Sequence, residues 1–377
     1  MDFSLGEEHE AIAGLAKDIF GRAAPMTRVE QVEAADERFD RDLWRDLADS
    51  GLLAAALPES VGGSGLGCLG LALLSEEHGR SVAPVPVTWH LVSALALASW
   101  GSAEQAQRWA APAASGSLVL TCALRESTND LRQNGGTWSG RVPAVPYAHV
   151  ADAVLLPVGH GLFLLDLRGS AVHIVSSQAT NRELESELVL DGAALEPVGG
   201  SGGAAWLQRR VRMALAATAA GVTRAALTMT AKYTSEREQF EKPLSTFQGV
   251  ALKAADAYVD TTAIRAAALQ AAWLLDRGDS GTADSPQAAA AVLSAAWWAA
   301  EAGQHCVHIT QHLHGGMGAD ITYPVHRYFL WGKQIELMVG GASALLAEIG
   351  DVVASDLPLG DEIIIAGHEA VVGVPLG

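Results

Sequence analysis

Two short stretches carry residue types that could hold a phosphate. The first is Arg237-Glu238-Gln239-Phe240, followed by Pro243-Leu244 and Phe247-Gln248. The second is Gln311-x-x-His314-Gly315-Gly316-x-Gly318, followed by Tyr323-Pro324. A guanidinium at a helix end can grip a pyrophosphate through two parallel N–H···O bonds, while Phe240 offers an apolar face to an adenine or ribose. Paired glycines let a backbone approach a ligand closely and expose its N–H groups. Each stretch also has a plainer account. Arg237 could pair with Glu241 on a helix surface, and the glycines could be helix C-caps and a tight turn. Taken singly, the plainer accounts are the stronger. Found together on two helices of one bundle, the motifs favour nucleotide binding.

The elements that must position them are helical. Apolar residues recur at helical spacing over about 205–235, 245–277, 285–313 and 325–350. Pro243, the run DRGDSGTADSP, the GGMG turn and Gly340-Gly341 interrupt them. Alanine-rich faces permit close approach, so residues 199–352 are expected to form a four-helix bundle. The run GGSGGA over 199–204 has the composition of a flexible joint. Before it, SLVLTCALRE, DAVLLPV, GLFLLDL, AVHIVSS and SELVLDG read as short strands separated by turns. They predict a small antiparallel β-barrel or sandwich over 116–198. Residues 1–115 read as an all-helical domain, with Asp40 a candidate helix cap and a glycine-rich loop over 57–67. The fold class is therefore mainly α with a small β domain. The tail, 353–377, has only short β-like runs, which the pattern does not place.

Composition narrows the function. The chain has 377 residues, 49% of them hydrophobic, which is ample for a large core. Its formal net charge of −18 argues against nucleic acid and against a polybasic membrane patch. Cys68, Cys122 and Cys306 are too few and too scattered for a disulfide framework or a zinc site. The N-terminal stretch carries acidic residues where a signal peptide would be basic. No apolar run reaches membrane-spanning length without a charge or a break. A cytoplasmic protein that does not enter membranes is the expectation.

A helical unit, a β-barrel and a helical bundle in that order resemble the acyl-CoA dehydrogenase family. Three motifs carry the resemblance, which covers residues 1–350: LPESVGGSGLG followed by SEEHGR, the Arg237 stretch, and the Gln311 stretch with its Tyr-Pro. The resemblance implies FAD as cofactor and an acyl-CoA thioester as substrate. It implies α,β-dehydrogenation, in which a carboxylate removes the α-proton and a hydride leaves the β-carbon for the flavin. It also implies that Arg237, Gln239, Phe240, Gln248, Gln311, His314, Gly315 and Gly316 reach across a dimer interface. There they would hold the ADP half of the FAD bound to a neighbouring subunit.

The same resemblance exposes departures. The two positions that carry the family's base align with Gly340 and Val211, and no acid lies within three residues of either. Glu336, one helical turn before Gly340, is the nearest spare carboxylate, but beside Lys333 it reads better as a solvated charge. Where the family lines its own flavin, this chain has 123–130 (ALRESTND) and Val145-Pro146-Tyr147, and proline lacks a backbone donor. Residues serving a neighbour's cofactor are kept while those serving this chain's own are lost. That asymmetry resembles the degenerate subunit of actinobacterial α2β2 acyl-CoA dehydrogenases, several of which act on steroid side-chain thioesters. The implied partner is a homologous catalytic subunit. Two alternatives stay open: a self-sufficient homomeric enzyme with an unconventional base such as Glu336, and a paralogue that serves assembly without catalysis.

Overall fold

The computed structural model describes residues 4–124, 131–278 and 284–354. The N-terminal unit begins with α1 (Glu7–Ala23), α2 (Met26–Glu33) and α3 (Arg41–Asp49). Helical spacing on α1 buries Ala16, Ile19 and Phe20 and leaves its acids in solvent. Asp40 caps α3 as expected: its side chain accepts the Leu43 N–H at 3.2 Å and takes Arg28 in a two-pronged grip at 2.8 and 2.7 Å. Helices α4 (Gly67–Ser81) and α5 (Val87–Trp100) run through the core, and α5 is buried on every side from Val87 to Leu97. A capping box between Ser102 and Gln105 starts α6 (Ala103–Gln105), which passes through a π turn at Ala106–Ala110 into α7 (Ala111–Ala114).

The middle unit contains β1 (Leu120–Cys122), β2 (Leu131–Asn134), β3 (Thr137–Pro146), β4 (Ala153–Val158), β5 (Gly161–Asp166), β6 (Val172–Gln178), β7 (Leu184–Ala193) and β8 (Glu196–Val198). The expected barrel takes the form of two four-stranded sheets, ordered β1-β4-β5-β8 and β2-β3-β7-β6. Val154, Leu156 and Leu165 of the first share one core with Val142, Leu188 and Leu190 of the second. The pairing is not wholly antiparallel, because β1 and β4 run side by side in the same direction. Between them the chain crosses to the other sheet for β2 and β3, and a crossover of that length permits parallel neighbours.

The C-terminal unit is built on α8 (Gly203–Glu236), α9 (Gln248–Asp276), α10 (Pro286–Leu313), α11 (Val325–Val339) and α12 (Ala342–Ala354). Helix α8 packs on α9, α10 and α11, and on its other side against α4. That last crossing is very close: a Cβ on Gly221 would lie 1.9 Å from the Glu76 carbonyl oxygen, and one on Gly79 would lie 2.1 Å from that of Thr218. The expected joint before α8 is tightly packed. Gly199 and Gly202 adopt φ of +65° and +105°, and a Cβ on Gly199 would strike the Trp100 ring at 2.8 Å. Glycine is needed there for shape rather than looseness. Asp276, at the end of α9, accepts the Cys68 and Leu69 N–H groups at 2.6 and 2.8 Å and so caps α4. By length and composition Val325–Ala354 could cross a membrane. The chain breaks it at Gly340 and Gly341, with φ of +118° and +80°, and α11 packs on α8 and α10.

Candidate functional site

Helix α8 ends at Glu236, where Arg237 turns to extended backbone. A two-stranded ribbon follows, β9 (Glu238–Gln239) paired with β10 (Lys242–Pro243), so Phe240 and Glu241 form its two-residue turn. Both have positive φ, +54° and +65°. Non-glycine residues adopt this conformation at a cost of roughly 1–2 kcal/mol each. The turn leaves Phe240 86% exposed at the tip, edge-on to Phe247 at 6.3 Å. Lys242 Nζ lies 4.4 Å from the centre of the Phe247 ring. Arg237, Gln239 and Gln248 are exposed as well. The ion pair between Arg237 and Glu241 does not form, because the helix has ended and the turn redirects the chain. Among the described residues the Arg237 guanidinium has no partner.

The second motif closes α10. His314 is buried at its end and stacks on Tyr233, in the last turn of α8, with ring centres 4.5 Å apart. Tyr323 flanks it at 5.2 Å. This contact brings both motifs to one end of the bundle. His314 Nδ1 donates to the Thr310 carbonyl at 2.7 Å, while Nε2 is buried without a partner among the described residues. Burial holds this histidine below its ordinary pKa and therefore neutral, with Nδ1 carrying the proton. Gln311 is half-buried and gives an N–H to the Gly318 carbonyl at 3.1 Å. A Cβ on Gly318 would lie 2.2 Å from the Gln311 carbonyl oxygen, so that turn closes only with glycine. Gly315, at φ +59°, and Gly316 are exposed, and a Cβ on either would meet nothing within 4 Å. Space is therefore open above them. Arg237, Gln239, Phe240, Gln248, Gly315 and Gly316 face outward, whereas Gln311 and His314 turn inward and shape the surface.

The positions aligned with the base are elsewhere. Val211 is buried on α8, and Gly340 ends α11 in a left-handed conformation. A Cβ built on Gly340 would lie 3.6 Å from Arg212 Nη2. Arg212 makes a two-pronged ion pair with Glu348 of α12, both bonds 2.7 Å, so a cation stands beside the place where a base would be. Glu336 pairs with Lys333 at 2.5 Å and is partly buried. At the β unit, the Tyr147 N–H bonds Leu184 O at 3.0 Å, its hydroxyl donates to Glu183 at 2.9 Å, and Pro146 O accepts from Thr121. Pro146 and Tyr147 therefore keep no donor for a flavin. Residues 125–130 of the ALRESTND stretch lie outside the described residues.

Comparison with known proteins gives this geometry a context. Residues 6–117 match the acyl-CoA dehydrogenase N-terminal domain, and residues 204–353 match the acyl-CoA dehydrogenase C-terminal domain. Acyl-CoA dehydrogenase FadE27 of Mycobacterium tuberculosis is 37% identical over 94% of this chain and 99% of its own length. The chain belongs to the acyl-CoA dehydrogenase family. FadE28 from the same organism is 32% identical, over 93% of this chain and 98% of its own. Among solved structures, a variant of the steroid acyl-CoA dehydrogenase Tcur3481-Tcur3483 is 42% identical, with a TM-score of 0.87 over 93% of this chain and 99% of that one. The ChsE4-ChsE5 complex from Mycobacterium tuberculosis is 35% identical, with a TM-score of 0.89 over 95% and 100%.

For this acyl-CoA dehydrogenase family member, the residues at the bundle end fit one half of an FAD. An unpaired guanidinium, two glycines with open space above them and an exposed phenyl ring suit a pyrophosphate and its nucleoside. The residues around Tyr147 and Gly340 do not fit a flavin ring and its base. Sequence reasoning missed Tyr233 and the Arg212–Glu348 pair. The one sequence hint of the second was the basic run Arg209, Arg210, Arg212 around Val211.

Proposed function

We propose that this chain is the base-less subunit of an FAD-dependent acyl-CoA dehydrogenase, assembled with a homologous catalytic subunit whose FAD site it completes. The observation that carries the proposal is the contrast between the two ends of the bundle. At one, Arg237, Gly315 and Gly316 stand open and unpaired; at the other, Arg212 and Glu348 occupy the neighbourhood of the missing base. An assembly-only paralogue has no need of an outward-facing phosphate-holding set. A self-sufficient enzyme would need a free carboxylate, and Glu336 is tied to Lys333. The relatives named as pairs, Tcur3481-Tcur3483 and ChsE4-ChsE5, support a heteromeric arrangement. That the first is a steroid acyl-CoA dehydrogenase suggests an acyl-CoA of that class as substrate.

In this reading the chain's own residues bind and orient. Arg237 would neutralise a pyrophosphate, and Phe240 would cover the adjoining nucleoside. Gln311 and His314 would keep the Gly315-Gly316 turn in shape. Bound FAD supplies the hydride acceptor, and the partner supplies the base. The test is flavin absorbance of the chain purified alone and with the catalytic subunit, for wild type, Arg237→Ala and Arg237→Lys. Flavin is expected in the complex and not in the isolated chain. Loss of a charge-assisted bond should weaken its retention about ten- to a hundredfold in Arg237→Ala, with partial rescue by lysine. Stoichiometric flavin and turnover in the isolated chain would overturn the proposal. So would undiminished flavin in an intact Arg237→Ala complex.

A further inference from the structure

A cavity of about 310 Å³ lies where the three units of the chain meet, beside the first turn of α11. Helix α2 contributes Glu30 and Glu33, with Ala34 and Arg38 following it. The β unit contributes Gln178 and Arg182 from the end of β6 and the turn after it, and α11 contributes Arg327. In a protein of net charge −18, three guanidiniums against two carboxylates make this a local excess of positive charge.

The carboxylates are already engaged. Glu33, largely buried, accepts from Arg327 at 2.9, 3.1 and 3.2 Å and from Arg182 at 3.3 Å. Glu30 accepts from Arg327 at 3.3 Å. Arg327 is thereby consumed, with 4% of its side chain exposed. Arg38 is different. Its hydrogen bond runs from Nη1 to the Arg182 main-chain carbonyl at 2.8 Å, and among the described residues it meets no carboxylate. A guanidinium has five N–H groups. Arg38 and Arg182 therefore both keep N–H groups beyond those used in these bonds, and both line the cavity.

The backbone around the cavity is strained. Arg38 and Arg182 have φ of +46° and +72°, and Val82, which lines the adjoining recess, has +46°. Three non-glycine residues in the left-handed region at one junction is the kind of clustering found where side chains are held for a ligand. The ordinary alternative, an internal salt-bridge network, accounts for Arg327 and Glu33 but leaves Arg38 unpaired.

We propose that this junction is a binding site for a small oxyanion, a carboxylate or phosphate group on a compact molecule, gripped by Arg38 and Arg182. Planar guanidiniums bind both groups through paired N–H···O bonds, and the volume admits a small metabolite rather than a single ion. None of the residues of the flavin reading lines this cavity, so the proposal does not depend on that reading. An occupant would touch all three units at once and tie them together.

Calorimetric titration tests this, with the full chain in the assembly in which it purifies. Inorganic phosphate and acetate would be added at constant ionic strength against sodium chloride. Saturable binding of at least one anion is expected. Arg38→Gln should weaken it about tenfold or more, and Arg38→Lys should restore part. Ala34→Glu is a second arm that does not depend on Arg38. Ala34 lies at the cavity wall, and a carboxylate there should capture the Arg38 guanidinium and abolish binding without disturbing the fold. A preference for phosphate or for acetate assigns the ligand's head group, and either supports the site. No saturable binding of either anion would overturn the proposal, as would binding undiminished in Ala34→Glu and in whichever Arg38 variant folds.

Discussion

A glycine and an arginine stand together at the position where the resemblance to the family places a base. Gly340 closes α11 at φ +118°, a conformation that a carboxylate-bearing residue adopts only with strain. Arg212 Nη2 lies 3.6 Å from the Cβ such a residue would have. Replacing the glycine with an acid should therefore fail to restore a base. In Gly340→Glu the new carboxylate is expected to pair with Arg212, which would hold it ionised and out of position. Positioned general-base catalysis is worth on the order of 10²–10⁴-fold. Acyl-CoA oxidation by Gly340→Glu, with flavin and without the partner, should stay at the level of the wild-type chain. A rise of that size would mean that the base alone had been missing. The resemblance to the family pointed to Gly340; the arginine beside it, contributed by a different helix, became visible only in the fold.

Helix α8 is the element on which the site depends. Its start is set by glycines packed on Trp100, its middle crosses α4 backbone against backbone, and its end presents Tyr233 to His314 and then Arg237 to solvent. A shift of its middle would move Arg237 relative to the Gly315 turn. Gly221→Ala places a methyl 1.9 Å from a main-chain oxygen that no rotamer change can relieve. It should cost about 1–3 kcal/mol as the two helices are forced apart. Gly14→Ala is the control, since Gly14 lies within α1 and a Cβ there meets nothing within 4 Å. That change should be neutral or stabilising by up to about 1 kcal/mol. Chemical denaturation of both variants checks the pair. Equal stability would mean that α4 and α8 can slide at no cost. The periodicity over 205–235 identified this helix correctly, but nothing in it marked Gly221 as a contact point among so many alanines.

At the scale of the molecule, buried titratable groups set opposing pH limits. Burial pushes His78 and His90 down to about 4. His90 shows why it resists a second proton: Nδ1 accepts the Leu120 N–H at 3.2 Å while Nε2 donates to the Ala113 carbonyl at 3.1 Å. Because the folded value lies below the ordinary 6.5, the unfolded chain binds more protons between about 4 and 6.5, and stability falls as pH drops through that range. Glu183 runs the other way. Burial raises it from 4.5 to about 7 against the lowering effect of hydrogen bonds from Asn181 and Tyr147, so the folded chain holds the extra proton and stability declines as pH rises through that window. Glu183→Gln, which removes the titrating group, should therefore gain on wild type from about pH 5 to about pH 7.5. Urea melts of both proteins across that range check it. A constant difference would mean that Glu183 titrates normally.

The sequence by itself determined the order of the three units and the helical bundle, and it marked the Arg237 and Gln311 stretches as candidates for holding a phosphate. These depend on local periods, turn residues and composition, which a chain carries without knowing its partners in space. Its resemblance to the family also pointed to Gly340 and Val211 as the places to look for a base. Only the tertiary structure decided that the β unit is two sheets with a parallel pair, because β1 meets β4 across a long excursion that no local pattern records. Only it separated Arg237, Gly315 and Gly316, which face outward, from Gln311 and His314, which face inward. A side chain's direction depends on where its helix ends and which neighbour it meets, and Tyr233 lies eighty-one positions before His314 in the chain, yet its ring is 4.5 Å away. The arginine cavity was likewise invisible in the sequence, since Arg38, Arg182 and Arg327 come from three separate units that only folding brings together.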